Sequence, residues 1–163
     1  MFKIRNYRLL ACVAMALLLV VNVAAKDKKP AVKPSSYEIT GAGSGTEGTC
    51  LVRVYVYGNA SDASIKRAAV HGVIFRGFSG TSSGAVQPAM ASETLEETFH
   101  DFFKSFLDEN GACQNYASIV PASYERIKTQ KGTKVGAVVQ VMRAALRTEL
   151  EKQGIIKSLS SGF

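Results

Sequence analysis

A match to a serine-hydrolase motif is the sharpest chemical feature of this chain. Residues 80–84, Gly-Thr-Ser-Ser-Gly, fit G-x-S-x-G with Ser82 in the nucleophile position, the pattern of a turn that exposes a catalytic serine. A triad of this type also needs an acid and then a histidine later in the chain. The chain supplies both in that order: Glu93, Glu96 or Glu97, then His100.

The surroundings of Ser82 argue against hydrolysis. A nucleophile elbow needs a buried strand before the serine and a helix directly after it. Here a helical pattern precedes the motif, Pro88 follows it, and the acid and His100 would share one short helix. We therefore interpret residues 77–90, which are rich in Gly and Ser, as a mobile and exposed loop. A small serine hydrolase using Ser82 and His100 stays the alternative function.

The cysteines and histidines after the N-terminal segment do not form a metal-binding pattern. They are scattered, with no C-x-x-C and no histidine pair at helical spacing: Cys50, His71, His100 and Cys113. We predict no metal site and no catalytic residue among them, and we expect His71 at the boundary of a helix's apolar face. Cys50 and Cys113 have two interpretations, one disulfide or two separate buried thiols.

The glycine-rich stretch 41–48 does not predict a cofactor site. A loop that cradles phosphate leads from a strand into a helix N-terminus. This stretch leads instead into residues 50–57, CLVRVYVY, whose β-branched and aromatic residues are typical of a strand. No cofactor is therefore expected.

The N-terminal segment predicts export. Lys3, Arg5 and Arg8 precede an uncharged run over residues 9–25, which ends in Val-Ala-Ala before Lys26. A basic start, an apolar run and small residues at the cleavage position are the signature of a secretory signal peptide. Residues 1–25 are therefore predicted to be removed, and the protein to be periplasmic or associated with the outer membrane.

The N-terminal segment has two alternative interpretations besides cleavage. The apolar run is about long enough to remain as a signal anchor. Residues 9–12, Leu-Leu-Ala-Cys, also resemble a lipobox, which would lipidate Cys12. A lipobox closes the apolar run, whereas most of this run follows Cys12, so cleavage after Ala25 is the preferred interpretation and no membrane span is expected afterwards.

The charge of the remaining chain disfavours nucleic-acid binding. The whole chain carries +7, with 20 basic and 13 acidic residues, and three of the basic residues lie in segment 1–25. The remainder therefore carries +4, of which the lysine-rich tether over residues 26–36 supplies +3. A folded part near +1 has no excess of basic residues for a phosphate backbone.

The pattern of elements predicts one α+β domain over residues 37–157, followed by a polar tail over 158–163. The expected order is β-α-α-β-β-α, with a small antiparallel or mixed sheet and about three helices packed on one face. The elements are an edge segment and strand at 37–40 and 50–57, helices at 65–76 and 93–109, a hairpin of 124–130 with 134–142, and a last helix at 143–153.

The phenylalanine-rich helix at 93–109 has two interpretations. Its apolar residues recur at helical spacing, so they form either part of the core or a surface for a ligand or partner. The periodicity favours the core. The stripe consists of Leu95, Phe99, Phe102, Phe103, Phe106 and Leu107, with Glu96 and His100 expected to pair on its polar flank.

Two stretches resemble known small envelope domains. They are the strand CLVRVYVYG with the helix IKRAAVHGVI, and the later VGAVVQVMRAALRTELEKQGI. In this order they resemble the N-terminal domain of the flagellar assembly protein T and related small envelope lipoproteins, although this chain lacks a lipobox cysteine at the end of its apolar run. The resemblance implies an assembly or interaction module of the bacterial envelope that binds envelope proteins without catalysis.

Overall fold

The computed structural model describes residues 36–58, 60–80, 86–130 and 132–158. The predicted signal peptide, nearly all of the predicted tether and most of the predicted tail lie outside these residues. No helix in the described ranges is long and apolar enough to cross a membrane.

A five-stranded, mostly antiparallel sheet forms the centre of the described domain. Its neighbours run in the order β1-β2-β7-β5, and β6 pairs with β7 alongside β5. Its strands are β1 (Tyr37–Gly43), β2 (Cys50–Tyr57), β5 (Ala117–Ile119), β6 (Glu125–Thr129) and β7 (Gly132–Val141). The predicted hairpin is therefore present as β6 and β7, and the α+β class is confirmed.

The main helix on the sheet is α1 (Asp62–His71), which continues into one π-helical turn (Gly72–Arg76). Ser61 caps it through a reciprocal capping box with Ser64. Gly72 lets the turn approach β1 closely, because a Cβ there would lie 3.2 Å from the Tyr37 ring. The helix therefore buries nearly its whole length against the sheet and the segments above it.

The predicted helix at 93–109 is wrong as one continuous element. It is divided into α2 (Glu93–Thr98) and α3 (His100–Phe106) at Phe99, whose φ of −105° and ψ of 36° leave the helical region. Ser92 precedes α2 without a side-chain capping bond. Phe103 and Phe106 of α3 enter the core, as the apolar stripe predicted, whereas the pattern did not predict the break.

The residues of the phenylalanine stripe differ in how deeply they are buried in the core. Phe103, Phe106 and Leu107 are buried, whereas Leu95, Phe99 and Phe102 are half-buried at its margin. The rings contact one another edge-on or stacked, with centroids 4.9 Å apart between Phe75 and Phe103. The core interpretation of the stripe therefore holds for its inner residues.

Three further elements complete the domain. A 3₁₀-helix (Ala112–Tyr116) leads into β5, two elements that the sequence interpretation had assigned to loop. The last helix, α4 (Arg143–Lys152), lies close to its predicted place and buries Leu146 and Leu150. In the predicted loop 77–90, β3 (Phe78–Ser79) and β4 (Val86–Gln87) form a short two-stranded ladder, while residues 81–85 lie outside the described ranges.

Candidate functional site

The two faces of β2 differ in burial and in polarity. Cys50, Val52, Val54 and Val56 are buried beneath α1, as strand alternation requires. The residues between them, Leu51, Arg53, Tyr55 and Tyr57, are only half-buried and belong to no part of the core. We call the surface around this second set, together with its neighbours on β1, β6 and β7, the open face.

Arg53, Tyr55 and Glu125 form the first polar group on the open face. The Arg53 guanidinium and the Tyr55 hydroxyl both donate to the Glu125 carboxylate, the hydroxyl at 2.6 Å from Oε2. The Tyr55 hydrogen bond, followed by the one from Arg53, lowers the pKa of Glu125 from its ordinary value. The carboxylate therefore stays ionised, and it fixes two side chains of β2 across the intervening strand β7.

A second polar group crosses the face from β1 to β7. Lys134 Nζ lies 2.6 Å from Glu38 Oε2 and 4.5 Å from the centre of the Tyr55 ring. The Tyr57 hydroxyl donates to the other oxygen of Glu38. Hydrogen bonds from Lys134 and then Tyr57 lower the pKa of Glu38. The two groups share the Tyr55 ring, so they form one network across four strands.

Gly136 explains how the Tyr55 ring fits at the centre of this network. It is directly opposite Tyr55 on β7, and it is buried although its side of the sheet is otherwise half-open. A Cβ at this position would collide with the ring and would lie 2.6 Å from the Val54 carbonyl oxygen. The glycine therefore makes the space in which the ring packs against the backbone.

The open face as a whole carries balanced charge and scattered apolar surface. Two acids and two bases are paired within it, Glu38 with Lys134 and Glu125 with Arg53. Ile127 is 37% exposed beside them. Tyrosine, arginine and isolated apolar groups are a mixture typical of protein interfaces and much less typical of a nucleic-acid surface.

Tyr37, His71 and Glu96 make up a different, closed cluster on the helix side. The Tyr37 hydroxyl lies 2.6 Å from His71 Nδ1, and His71 Nε2 lies 3.4 Å from Glu96 Oε1. Tyr37 and His71 are only 5% and 6% exposed. His71 is therefore a buried residue, as its place beside the apolar helix face predicted.

The buried cluster joins several elements of the fold. Burial is the main cause that raises the pKa of Tyr37 well above its ordinary value, so its hydroxyl keeps its proton and is a poor nucleophile. Arg76 lies over the Tyr37 ring, 4.1 Å from its centre, and donates to the Tyr37 carbonyl oxygen at 3.1 Å. The cluster thus ties β1 to α1, the π-helical turn and α2.

The alternative hydrolase site is not assembled in the described residues. Ser82 lies outside them. His100 is exposed at the start of α3, and its nearest acid is Asp101, with Nδ1 3.4 Å from Oδ1. The predicted pairing of Glu96 with His100 is wrong, because the helix break at Phe99 separates their faces and Glu96 lies beside His71 instead.

Both cysteines are free and buried, so the interpretation as two separate thiols is the one that the structure shows. Burial raises the pKa of each thiol to about 11, which keeps it protonated at neutral pH. Within the described ranges, no three acidic, cysteine or histidine side chains are grouped to hold a metal ion.

A cleft of about 480 Å³ lies where β2 leads into α1. Its lining includes Ser61, Thr133, Val135 and Arg126. Arg126 is paired with Val135, so it stands on the helix side of an edge strand. Arg126 is exposed there, and a charge on an edge strand opposes strand-to-strand aggregation.

Comparisons with protein-family models, with curated proteins and with solved structures found no match to this chain. The resemblance to the flagellar assembly protein T domain therefore stays a prediction. Among the described surfaces, the open face has the residue composition most similar to a protein interface.

Proposed function

We propose that this protein is an exported, non-catalytic interaction or assembly module of the bacterial cell envelope, and that the open face is its contact surface. The observation that carries this proposal is the network of Arg53, Tyr55 and Glu125. Its side chains are pre-arranged, they lie on a rigid sheet, and they are outside the hydrophobic core. Tyrosine and arginine held in this way are the residue types that dominate binding energy at protein interfaces.

The arrangement of the polar groups supports binding by protein rather than by nucleic acid. Each cation on the open face, Arg53 or Lys134, is already paired with a carboxylate. A phosphate backbone would have to displace these acids, whereas a protein partner can place its own polar groups between them.

Export is the second part of the proposal, and it is supported by the basic start, apolar run and small residues of the first 25 positions. Intact-mass analysis of the exported protein tests it, with an expected N-terminus at Lys26. A retained Met1 would make the segment an anchor, and a lipid on Cys12 would make the protein a lipoprotein. Either result would contradict cleavage after Ala25.

Site-specific photo-crosslinking tests the contact surface. A photoreactive amino acid replaces Tyr57 on the open face, and in a matched control it replaces Lys104, which is exposed on α3. We expect discrete products in the intact envelope from position 57 and none from position 104. Equal products from both positions, or none from position 57, would contradict the proposed surface.

Covalent labelling separates the module from the alternative hydrolase. A fluorophosphonate probe modifies an activated serine and leaves an ordinary one unlabelled. The proposal expects no labelling of the protein. Stoichiometric labelling that is lost in both Ser82→Ala and His100→Ala would establish a hydrolase and overturn the non-catalytic assignment.

A further inference from the structure

We propose that the open face binds a second copy of this chain, so that two sheets pack face to face in a weak, reversible dimer. The inference rests on the proposed function of the open face as a contact surface, and it names the partner. It follows from the charge balance of the face, its size and its shape.

The charges on the open face favour a partner surface that carries both acids and bases and no net charge. The face carries two acids and two bases, Glu38, Glu125, Arg53 and Lys134. A strongly acidic or strongly basic surface would be attracted to one half of this pattern and repelled by the other. A surface with the same balance avoids that conflict, and the chain itself provides one.

A symmetric dimer places the same patch on itself, so a net charge on the patch would oppose association. Here the net charge is zero. The two tyrosine hydroxyls that donate to carboxylates can each still accept a hydrogen bond. Tyr55 and Tyr57 can therefore receive polar contacts from a second copy without losing the bonds that hold them.

The size of the face sets the expected strength. Four adjacent strands at about 4.8 Å spacing and a strand of eight residues at about 3.3 Å each give a flat area of roughly 500 Å². Two such faces bury about 1,000 Å² in total, near the lower limit for a specific interface. A dimer of this size is weak, and its population must depend on concentration.

The ordinary alternative is a face that meets only water, as one side of many antiparallel sheets does. It explains the paired charges equally well. It does not call for a tyrosine ring that occupies the space above a buried glycine, as the Tyr55 ring does at Gly136. Because this space accommodates part of the ring, a second sheet can approach to the usual packing distance of about 10 Å.

Sedimentation velocity of the exported protein over concentrations from about 1 µM to about 1 mM tests the dimer. We expect a concentration-dependent shift from the mass of one chain to that of two. Lys134→Glu should abolish the shift, because it gives each face a net charge of −2. The matched control Lys104→Glu makes the same charge change on α3 and should leave the dimer intact.

A charge-swap experiment decides the partner. Glu38→Lys gives the face a net charge of +2, so this variant should also stay monomeric alone. An equimolar mixture of Lys134→Glu and Glu38→Lys should form the dimer again, since the two faces now attract. Thermal melting of both variants checks that each one is folded before the mixture is interpreted.

Three results would overturn the second copy as partner: one chain at all concentrations, a dimer unchanged in Lys134→Glu, or no association in the mixture. Each of them leaves the proposed function testable on its own. A photo-crosslink from position 57 to a different envelope protein would support the interaction module and reject self-association. Loss of both the dimer and every position-specific crosslink would reject both.

Discussion

The two faces of the sheet are formed by the same strands, but the side chains on one face form the core and those on the other form polar contacts. On the covered face, five valines are buried in the core: Val52, Val54 and Val56 of β2 and Val139 and Val141 of β7. On the open face, the polar residues of these two strands form hydrogen bonds and ion pairs with acids on β1 and β6. The comparison teaches that stability and recognition can be separated within one strand, because successive side chains point to opposite sides.

This separation makes the faces respond differently to substitution. A truncation on the covered face leaves a cavity in a packed interior, whose cost depends on the lost contacts. A substitution on the open face removes a polar contact that water largely replaces.

Removing one inner aromatic ring should produce the largest effect. Phe103 is 2% exposed in the core, so Phe103→Ala should lower the free energy of unfolding by about 3–5 kcal/mol. Phe102→Ala is the matched variant on the same helix, and its half-buried ring should cost clearly less. Chemical denaturation measures both. Equal losses would mean that the margin of the core is packed as tightly as its centre.

Adding one methyl group beneath the open face should have the next largest effect. In Gly136→Ala the new Cβ would lie 2.6 Å from the Val54 carbonyl oxygen and would collide with the Tyr55 ring. We expect a loss of about 1–3 kcal/mol, as for other overpacked sites. Thr40→Ala, at an exposed position of β1, serves as the control. A Gly136→Ala protein as stable as the parent would show that the Tyr55 ring does not pack against Gly136.

The buried tyrosine should make the protein sensitive to alkali. The folded protein raises the pKa of Tyr37, mainly through burial, so above pH 10, the ordinary tyrosine value, the folded state holds a proton that the unfolded state loses. The free energy of unfolding should therefore be undiminished below that pH and should fall as the pH rises further. Denaturation at several pH values measures the slope.

Tyr37→Phe should reduce this alkaline slope, because it removes the titrating group and keeps the ring. It will also lower stability at neutral pH, since His71 loses the hydroxyl 2.6 Å from its Nδ1. Tyr57→Phe, at the open face, is the comparison variant. A slope that changes more in Tyr57→Phe than in Tyr37→Phe would contradict the assignment to the buried cluster.

Neutralising a carboxylate on the open face should have the smallest effect on stability. Glu125 is half-buried with 41% of its side chain exposed, so its bonds to Arg53 and Tyr55 compete with water. Glu125→Gln should leave the denaturation midpoint nearly unchanged while it weakens self-association, which sedimentation measures. A marked loss of stability would mean that the polar network holds the sheet together and is not reserved for contact.

Local patterns predicted the regular elements well. The run over 50–57 is a strand with the predicted bounds, the hairpin and last helix lie within a few residues of their predicted places, and Ser61 caps α1. These features depend on neighbours in the sequence: alternation, helical spacing and a capping hydroxyl. Their physical causes act over a few residues, so the sequence contains them directly.

The helix break at Phe99 and the strand β5 could not be predicted in the same way. The stripe from Leu95 to Leu107 is a sound helical pattern, and only packing against Phe75 and Tyr116 decides that Phe103 and Phe106 turn inward. The segment 117–119 is too short to show an alternation. It becomes a strand because its backbone pairs with the C-terminal part of β7, residues 139–141.

The residues of the candidate site were partly visible in the sequence. Arg53, Tyr55 and Tyr57 stand at every second position of a predicted strand, which places them on one face. Their partners lie far away in the chain, and no local sequence pattern predicts them: Glu38, Glu125 and Lys134. The clearest available signal was Gly136 inside an otherwise β-branched strand, since such a glycine often marks a close approach.

The α+β class, the order of the main strands and helices and the apolar side of each could be predicted from the sequence, which also predicts export. Only the folded structure shows that Glu96 lies beside His71 rather than His100, and that the two cysteines are separate thiols. It is also the folded structure that brings Glu38, Glu125 and Lys134 to the polar residues of β2 on the open face. The reason is physical: periodicity assigns a residue to a face, but the register between strands and the packing of helices decide which distant residue stands opposite it.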